Sequence, residues 1–559
     1  MAETAQRSTI PQLLGFLNRE TRGSRLRIIV PSVAAGLARG ALLAAFNAAA
    51  AQAGSGGGLN LKLAGGFAAA LVVYLASAYL SAVLSDNLVR RLLHRLRLRI
   101  CGKLIHAPLR LVEAQDPGKI FTLIGHESER LASVAKDFII TFQAAVVLAV
   151  ALAYLAWLSP ASFAIATLTI AAGAATYYWH ENKAKQAYAR AREKEVEYFD
   201  TMYDLLHGFR DLKLDRAQQD EIMGHLKTVS DEFCNLGAAS ARRYQISELV
   251  SHAFTFSLIA IVVFLIPLLL PSGAGSTYQL LATVLYLLAP VEQMVAAVPF
   301  FSKGAVALGN ISRLEGSLFA ETPEGPAREA APALFDRIEL SNVRFEFRSA
   351  MAEENFDLGP LDLTLKRGEI LLICGGNGAG KTTLLKLLAG LYHPAAGQVL
   401  VDGKPMDGVR NAGYREMFAV IFSDPYLMRR LYGLGDLDPD TVKALLTELE
   451  LDRKTTLTGR QFTSTRLSAG QRKRLAYAIN RLRDRQVYVF DEFAADQDPQ
   501  FRQYFYTVLL PRLKAHGKTV VAVTHDERWF GAGDRLVKLD YGRIVPVDAP
   551  ERRPEAQSA

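Results

Sequence analysis

The second half of the chain contains a glycine-rich segment suited to binding phosphate. Residues 375–382 fit the pattern G-x-x-x-x-G-K-[ST] and lie between a predicted strand and a predicted helix. Glycines in such a loop let main-chain N–H groups turn inward around phosphate oxygens, and the helix N-terminus adds a favourable potential for anions. We expect Lys381 to meet the β- and γ-phosphates of a nucleotide and Thr382 to ligate Mg²⁺.

An acidic pair follows an apolar run further along the chain. Residues 487–490 read Val-Tyr-Val-Phe and are followed by Asp491 and Glu492. At the end of a buried strand, Asp491 is placed to hold Mg²⁺, and Glu492 can polarise an attacking water because a carboxylate beside the γ-phosphate accepts its proton. His525, which ends the predicted strand 519–524, is a candidate γ-phosphate sensor. The alternatives are that Glu492 is a solvated surface acid and that His525 is structural.

The pentapeptide 467–471, Leu-Ser-Ala-Gly-Gln, lies between the loop and the acidic pair. It is more restrictive than the phosphate-binding loop, which alone indicates only a nucleotide hydrolase. Taken with an apolar first half of the chain, the pentapeptide indicates that ATP binding is coupled to movement across a membrane.

The first half of the chain contains long apolar stretches that predict membrane helices. Residues 138–180 and 249–291 each run 43 positions without Asp, Glu, Lys or Arg. A bilayer core needs about 20 apolar residues per helix, so each stretch fits two crossings joined by a turn, near 158–162 and 271–275. Residues 64–85 and 28–50 supply two more, the latter interrupted by Arg39. We therefore expect six crossings in a chain of 559 residues, which is long enough for two or three domains.

The distribution of basic residues predicts the orientation. The three short loops carry only Lys62, whereas basic residues cluster before the first helix and after the second. These residues are Arg19, Arg22, Arg25, Arg27, Arg90, Arg91, Arg95, Arg97, Arg99 and Lys103. Because basic residues are retained on the cytoplasmic side, both termini and the two long loops are expected there. The first apolar segment is too long for a removable signal peptide.

The two long loops, 86–137 and 181–248, have helical apolar spacing and are predicted to extend the membrane helices into the cytoplasm. Candidate turning segments that would touch the ATPase domain are 107–118 and 208–211. We expect a membrane domain over 1–320, a linker over 321–335, an α/β nucleotide-binding domain over 336–546 and a disordered tail over 547–559.

The net charge of +8 does not point to nucleic acid, because the basic residues lie beside predicted membrane spans. Cys101, Cys234 and Cys374 are widely spaced and fall in segments predicted to be cytoplasmic, which favours reduced thiols over disulfides or a zinc site.

The order of phosphate-binding loop, LSAGQ, VYVFDE and then His525 resembles the ATP-binding cassette superfamily over about residues 336–545, and six helices with two cytoplasmic excursions resemble its exporter-type membrane domain. The resemblance implies a homodimer, in which two ATP molecules lie between the phosphate-binding loop of one subunit and the pentapeptide of the other. It assigns hydrolysis to Lys381, Glu492 and His525, and Mg²⁺ to Thr382, Asp491 and Ser423. The nucleotide-binding set implied is Phe347, Gly375, Gly376, Asn377, Gly378, Ala379, Gly380, Lys381, Thr382, Thr383, Ser423, Ser468, Gly470, Gln471 and Asp498.

Within this set, Phe347 matches an adenine-stacking aromatic that is usually tyrosine, and Asp498 matches an aspartate of the loop after the catalytic glutamate. Two positions depart from the family pattern. Ser423 replaces a glutamine, and its shorter side chain changes how the membrane domain could sense nucleotide. Ala469 replaces the middle glycine of the pentapeptide.

Three short motifs narrow the resemblance. Residues 422–424 (FSD), 467–474 (LSAGQRKR) and 491–499 (DEFAADQDP) are similar to the cyclic-peptide and siderophore-precursor exporters of Gram-negative bacteria, which include exporters of pyoverdine precursor and syringomycin-type lipopeptides. This implies ATP-driven efflux of such a peptide from cytoplasm to periplasm through the inner membrane. The alternatives are a lipid or multidrug exporter, and a membrane-bound ATPase that senses without translocating.

Two ionisable residues within the predicted crossings are candidates for the substrate path. Arg39 lies in the first crossing and Glu292 follows Pro290 in the last. Charges at that depth are costly and tend to face a cavity or each other. The alternative is that one or both lie near a cytoplasmic extension or extend toward the membrane surface.

Overall fold

The computed structural model describes residues 9–20, 25–54, 60–115, 117–265, 274–318, 334–347, 356–409 and 411–546. Most of the linker predicted over 321–335, namely 321–333, and the predicted tail at 547–559 lie outside these ranges. The chain divides into two compact units, one made of Met1–Ile100 with Phe121–Arg313 and the other of Cys101–Ile120 with Leu314–Ala559. The turning segment near residue 110 therefore belongs to the unit that contains the nucleotide-binding domain.

The first half of the described chain is helical. Its helices are α1 (Thr9–Glu20), α2 (Arg25–Gly54), α3 (Leu61–Ile105), α4 (Leu109–Glu113), α5 (Pro117–Thr122), α6 (Ser128–Leu158), α7 (Pro160–His207), α8 (Phe209–Leu212), α9 (Arg216–Ala260) and α10 (Ala274–Leu318). Single π-helical turns, Leu123–Glu127 and Ile261–Leu265, precede α6 and follow α9.

Five helices in the described residues are long and apolar enough to cross a membrane: Leu26–Gln52, Leu61–Ile105, Ile120–Leu158, Pro160–Tyr177 and Tyr278–Gly316. The remaining predicted crossing, which starts near residue 249, runs through the end of α9 and continues into residues 266–273, which are not described. The predicted turn at 271–275 likewise falls mostly outside the described residues.

The turns that are described have local causes. The α6–α7 turn forms at Ser159, whose main chain is extended and whose hydroxyl caps α7 by accepting a hydrogen bond from the Ser162 N–H (3.3 Å), with Pro160 at the first helical position. The α8–α9 turn ends at Asp215, whose carboxylate accepts from the N–H of Ala217 at 2.8 Å. Both predicted turning segments contain short helices: α4, followed by α5, lies between α3 and α6, and α8 lies between α7 and α9.

The nucleotide-binding unit contains two main sheets. Its strands are β1 (Arg337–Phe347), β2 (Phe356–Lys366), β3 (Ile370–Cys374), β4 (Ala396–Val401), β5 (Lys404–Pro405), β6 (Phe418–Ile421), β7 (Leu457–Thr458), β8 (Gln461–Phe462), β9 (Val487–Phe490), β10 (Thr519–Val523), β11 (Arg535–Asp540) and β12 (Arg543–Val545). The larger sheet has the order β12-β11-β3-β10-β9-β6, parallel except for β12. The order β2-β1-β4-β5 forms an antiparallel sheet.

Helices pack around the parallel sheet. They are α11 (Lys381–Leu388), α12 (Ala412–Arg415), α13 (Pro439–Glu448), α14 (Ala469–Arg483), α15 (Pro499–Tyr504) and α16 (Leu510–Ala515). Strands β3, β9 and β10 are buried along their whole length, as their uninterrupted apolar sequences predict for a sheet covered on both faces. Loops at the carboxyl ends of such strands are the usual location of a site in this class of sheet.

Candidate functional site

The loop 375–382 connects β3 to α11, as predicted. Gly375, Gly378 and Gly380 have φ of +152°, +77° and +97°, a region that favours glycine. A Cβ on Gly375 would overlap the carbonyl oxygen of Leu539, whereas one on Gly376 or Gly378 would meet open space. The loop is therefore fixed from behind by β11 and open on its other side, a main-chain cradle suited to phosphate.

Lys381 begins α11 and is buried against the loop. Its ammonium donates to the carbonyl oxygens of Gly375 (3.1 Å) and Gly376 (2.8 Å) and lies 3.9 Å from a carboxylate oxygen of Glu492. Burial lowers its pKa, with the nearby acids Glu492 and Asp491 opposing that shift.

Thr382 and Asp491 meet although 109 positions separate them. The Thr382 hydroxyl donates to Oδ2 of Asp491 at 3.0 Å, and Oδ1 of Asp491 is buried with no hydrogen-bond partner among the described residues. Burial raises the Asp491 pKa, while the Thr382 hydroxyl and the Ser423 main-chain N–H oppose that shift. A hydroxyl beside an unpartnered carboxylate oxygen fits Mg²⁺, which takes few protein oxygens and completes its shell with phosphate and water.

Glu492 and His525 form a second contact at the same edge of the sheet. His525 Nε2 lies 2.9 Å from Glu492 Oε1. Glu492 has a φ of +50°, a strained conformation for a residue with a Cβ, and such strain concentrates at functional sites. The structure thus brings Lys381, Thr382, Asp491, Glu492 and His525 together around one loop, and Glu492 is a half-buried member of this group.

The pentapeptide 467–471 forms the start of α14. Ser468 is the N-cap: its hydroxyl accepts from the Gln471 N–H (3.4 Å), while the Gln471 side chain accepts from the Ser468 N–H (3.2 Å). Gly470 is buried, and a Cβ there would overlap the carbonyl oxygen of Asp496. Ser468 and Ala469 are exposed, so a methyl group at Ala469 is accommodated.

Lys473 and Arg474, which follow the pentapeptide, anchor the segment after Glu492. The buried Lys473 ammonium donates to the Glu492 carbonyl oxygen (2.8 Å) and pairs with Asp496 (2.5 Å). Arg474 donates to Gln497 (2.8 Å) and pairs with Asp498. Neither residue is among those to which the sequence motifs give a role. A sequence signal for them was available: two basic residues lie directly after a helix start, and the segment 491–498 that follows in the chain is acidic.

The remaining predicted nucleotide-binding residues differ in their burial and in their local contacts. Asn377 and Ser423 are exposed, Ala379 is buried and Thr383 is half-buried. Asp498 caps α15 by accepting from the Phe501 N–H (2.9 Å), and that hydrogen bond together with Arg474 lowers its pKa despite partial burial. Phe347 is at the end of β1, where its main chain pairs with Phe356, and its side chain lies outside the described part of the structure.

The turning segment α4 contacts the nucleotide-binding domain within the same unit, as predicted. Glu113 accepts from the Lys386 ammonium (2.9 and 3.1 Å) and from the Tyr392 hydroxyl (2.5 Å). Arg110 lies 5.3 Å from the centroid of the Phe345 ring, which stacks on Tyr392. Burial alone would lower the pKa of Lys386, but the hydrogen bonds to Glu113 and Tyr392 outweigh it and raise the pKa. The sequence identified the segment but not these residues, because nothing in a single sequence pairs positions so far apart.

The two candidate substrate-path residues do not pair with each other. Arg39 lies between the rings of Tyr74 and Tyr286, with 5.9 Å to each centroid. Glu292 lies 3.7 Å from His252 on α9. Arg39 and Glu292 therefore contact different residues.

The sequence has relatives that agree with this architecture. Residues 358–495 match the ABC transporter family and residues 40–291 match the ABC transporter transmembrane region. The chain is 31% identical to ATP-binding protein SyrD of Pseudomonas syringae pv. syringae, over 81% of this chain and 82% of that protein. The solved structure of a bacterial Atm1-family ABC exporter with ATP bound superposes with a TM-score of 0.77 at 18% identity, covering 95% of each chain.

More distant relatives differ in their described roles. An ATP-dependent lipid A-core flippase of Hahella chejuensis is 27% identical over 46% of this chain and 45% of its own length. A multidrug efflux ATP-binding/permease protein of Mycobacterium bovis is 26% identical over 66% of this chain but only 31% of its own length.

The chain belongs to the ABC transporter family. It is a multi-pass membrane protein of the exporter type, in which a helical transmembrane domain precedes an ATP-binding domain that hydrolyses ATP to drive transport.

Proposed function

We propose that this exporter moves a cyclic or non-ribosomal peptide, or a siderophore precursor, from the cytoplasm to the periplasm. The cargo assignment is carried by the motifs FSD, LSAGQRKR and DEFAADQDP, and it is supported by the 31% identity to SyrD along most of both chains. The basic residues beside the membrane spans support an inner-membrane location with both termini in the cytoplasm.

The site geometry supports a specific division of roles. Lys381 and the main chain of 375–382 would hold the phosphates, with Thr383 beside them, and Phe347 would stack on adenine. Thr382 and Asp491 would hold Mg²⁺, with Ser423 nearby, and the bound ion would neutralise charge on the β- and γ-phosphates. Glu492 would accept a proton from the attacking water. His525, in contact with Glu492 at 2.9 Å, would orient that carboxylate and sense the γ-phosphate.

A homodimer is the assembly that these contacts support. In the described residues, the hydrogen bonds of Ser468, Gly470 and Gln471 stay within the start of α14 and the segment that follows Glu492, and none reaches the phosphate-binding loop. Ser468 is exposed at a helix N-terminus, where it could cap a γ-phosphate held by a second copy. Asp498 would lie at that interface.

Reconstituted transport would separate this proposal from its alternatives. Purified protein in vesicles, with the ATP site outward, would be offered a fluorescent acylated cyclic peptide, a fluorescent phospholipid and a hydrophobic cationic dye. We expect ATP-dependent uptake of the peptide in wild type and none in Glu492→Gln. Movement of only the lipid or dye would favour a lipid or multidrug exporter. ATP hydrolysis without movement of any probe would favour a sensor.

A further inference from the structure

Arg39 is a cation at the centre of a membrane helix. It is the midpoint of the 27-residue span Leu26–Gln52, whose only other charged residue is Arg27, near one end. Placing an arginine at the bilayer centre is energetically costly, and such residues are rare in membrane helices. A residue with that cost needs either a partner in the protein or a function that uses its charge.

The helix packing directs Arg39 toward other helices. Gly36 and Gly40 lie against Val146 and Val150 of α6 so closely that a Cβ at either glycine would overlap the valine side chain. This close approach fixes one face of α2 on α6.

The face of α2 that continues from Arg39 is also covered. Leu43, one turn further, packs in a buried cluster with residues of α10. Asn47, a second turn on, is fully buried and donates to the Thr283 hydroxyl of α10 at 3.0 Å. Arg39 is thus on a protein-facing side of its helix, the side on which Leu43 and Asn47 contact α10.

The immediate surroundings of Arg39 are aromatic. Its guanidinium carbon lies 5.9 Å from the ring centroids of Tyr74 on α3 and Tyr286 on α10, within cation–π range. The Tyr286 hydroxyl donates to the Arg39 main-chain carbonyl oxygen (3.0 Å), which holds that ring in place. Among the described residues, no carboxylate pairs with the guanidinium, and Glu292, the acid that the sequence offers in the last predicted crossing, contacts His252 instead.

We propose that Arg39 binds an anionic group, foremost a carboxylate, of the exported molecule, with Tyr74 and Tyr286 flanking its apolar part. Ring faces satisfy the charge but not the N–H donors of a guanidinium, whose planar fork matches a carboxylate with two parallel hydrogen bonds. The cargo class is therefore an anionic amphiphile. This inference rests on the export function proposed above and adds the charge of its cargo.

The test compares an acid with its amide. Full-length protein in lipid nanodiscs would be titrated with two probe pairs: an acylated peptide ending in a carboxylate or in a carboxamide, and a non-peptide aromatic amphiphile as the carboxylic acid or its amide. Binding would be followed by fluorescence anisotropy. Because hydrogen bonds to a charged group are worth roughly 1.5–3 kcal/mol, wild type should bind the acid about 10- to 100-fold more tightly.

Three variants make the result specific. Arg39→Gln should abolish the acid preference, and Arg39→Lys should keep part of it. Lys62→Gln, which removes an exposed positive charge just inside α3, should keep all of it. Melting temperatures of all variants verify folding, and Arg39→Lys keeps the test informative if Arg39→Gln is unstable.

Two results would overturn the inference: wild type showing no acid preference in either pair, or Arg39→Gln retaining it. A preference that Arg39→Gln loses in either pair supports it. If only the non-peptide pair shows that loss, the peptide cargo is wrong while the role of Arg39 stands, so the two proposals fail separately.

Discussion

Two regions of the nucleotide-binding unit differ in how their contacts are made. Around the phosphate-binding loop, main-chain geometry dominates: Gly375 and Gly470 leave no room for a Cβ, and Glu492 has a left-handed main chain. At α4 the contacts are between side chains, where the partly exposed Glu113 meets the half-buried Lys386 and the buried Tyr392. We expect substitutions in the first region to cause large losses of ATPase activity. Substitutions in the second region should cause smaller, graded losses.

We expect the largest loss of ATP hydrolysis from substitution of Glu492, which belongs to the first region. Glu492→Gln keeps the size of the side chain but removes the proton acceptor, so ATP hydrolysis should fall by about 10²-fold or more. ATP binding should persist and trap a dimer, observable by phosphate release together with native mass spectrometry. Asp440→Asn, at an exposed acid of α13, serves as the control. Turnover close to wild type in Glu492→Gln would contradict the assigned role.

Adjacent positions in the pentapeptide test whether main-chain space sets the response. In Gly470→Ala, the new Cβ would overlap the carbonyl oxygen of Asp496, so the segment after Glu492 must shift. We expect ATPase activity to fall about tenfold, which corresponds to 1.4 kcal/mol in the barrier.

The matched variant is Ala469→Gly, which alters an exposed neighbour by the same single methyl group. Its activity should stay close to wild type. Equal losses in the two variants would show that helix propensity, rather than the close approach at Gly470, controls this region.

Lys473 tests a side chain that supports the main-chain region. Lys473→Met leaves the Glu492 carbonyl oxygen and the Asp496 carboxylate without their donor, a loss of about 1–3 kcal/mol for a buried partner. We expect a lower melting temperature and slower hydrolysis of ATP in the full-length protein. The half-buried neighbour Arg472, which pairs with the exposed Asp424, supplies the control Arg472→Met. If both variants behave alike, the contacts of the buried Lys473 with Glu492 and Asp496 support hydrolysis no more than the pair of Arg472 with Asp424 does.

Local patterns explain why the phosphate site could be predicted from the sequence. The loop, the pentapeptide and the acidic pair each need particular residue types at consecutive positions, since a tight turn, a capping box and a strand end are local structures. The long apolar stretches likewise predicted membrane helices, and the Gly208 region predicted the turn that α8 makes. Lys381, Thr382 and Asp491 could be placed around one loop because that loop follows β3 and Asp491 directly follows β9, and both strands belong to the parallel sheet.

Contacts between distant residues were not predictable in the same way. Glu113 and Lys386 are 273 positions apart, and Asn47 and Thr283 are 236 apart. Arg39 and Glu292 looked equally suited to the substrate path in the sequence, yet only Arg39 lies between aromatic rings. Which helix faces meet depends on the simultaneous packing of several helices, and no local sequence pattern reveals it.

The smallest expected effect is at Glu113, where graded behaviour should appear. Because Glu113 and Lys386 are partly exposed, the ion pair adds little stability, and ATPase activity without cargo should change by less than about twofold in Glu113→Gln. Stimulation of ATPase by cargo should fall more, since α4 follows α3 in the chain and contacts α11 within its own unit. Tyr392→Phe removes one hydroxyl partner of Glu113 and should have an intermediate effect, whereas Lys386→Met should match Glu113→Gln and add nothing to it in the double variant. If stimulation of ATPase by cargo is unchanged in all of these variants, the aromatic contact of Arg110 with Phe345 transmits the movement instead. The two regions would then differ in the residues that make their contacts but not in how they respond to substitution.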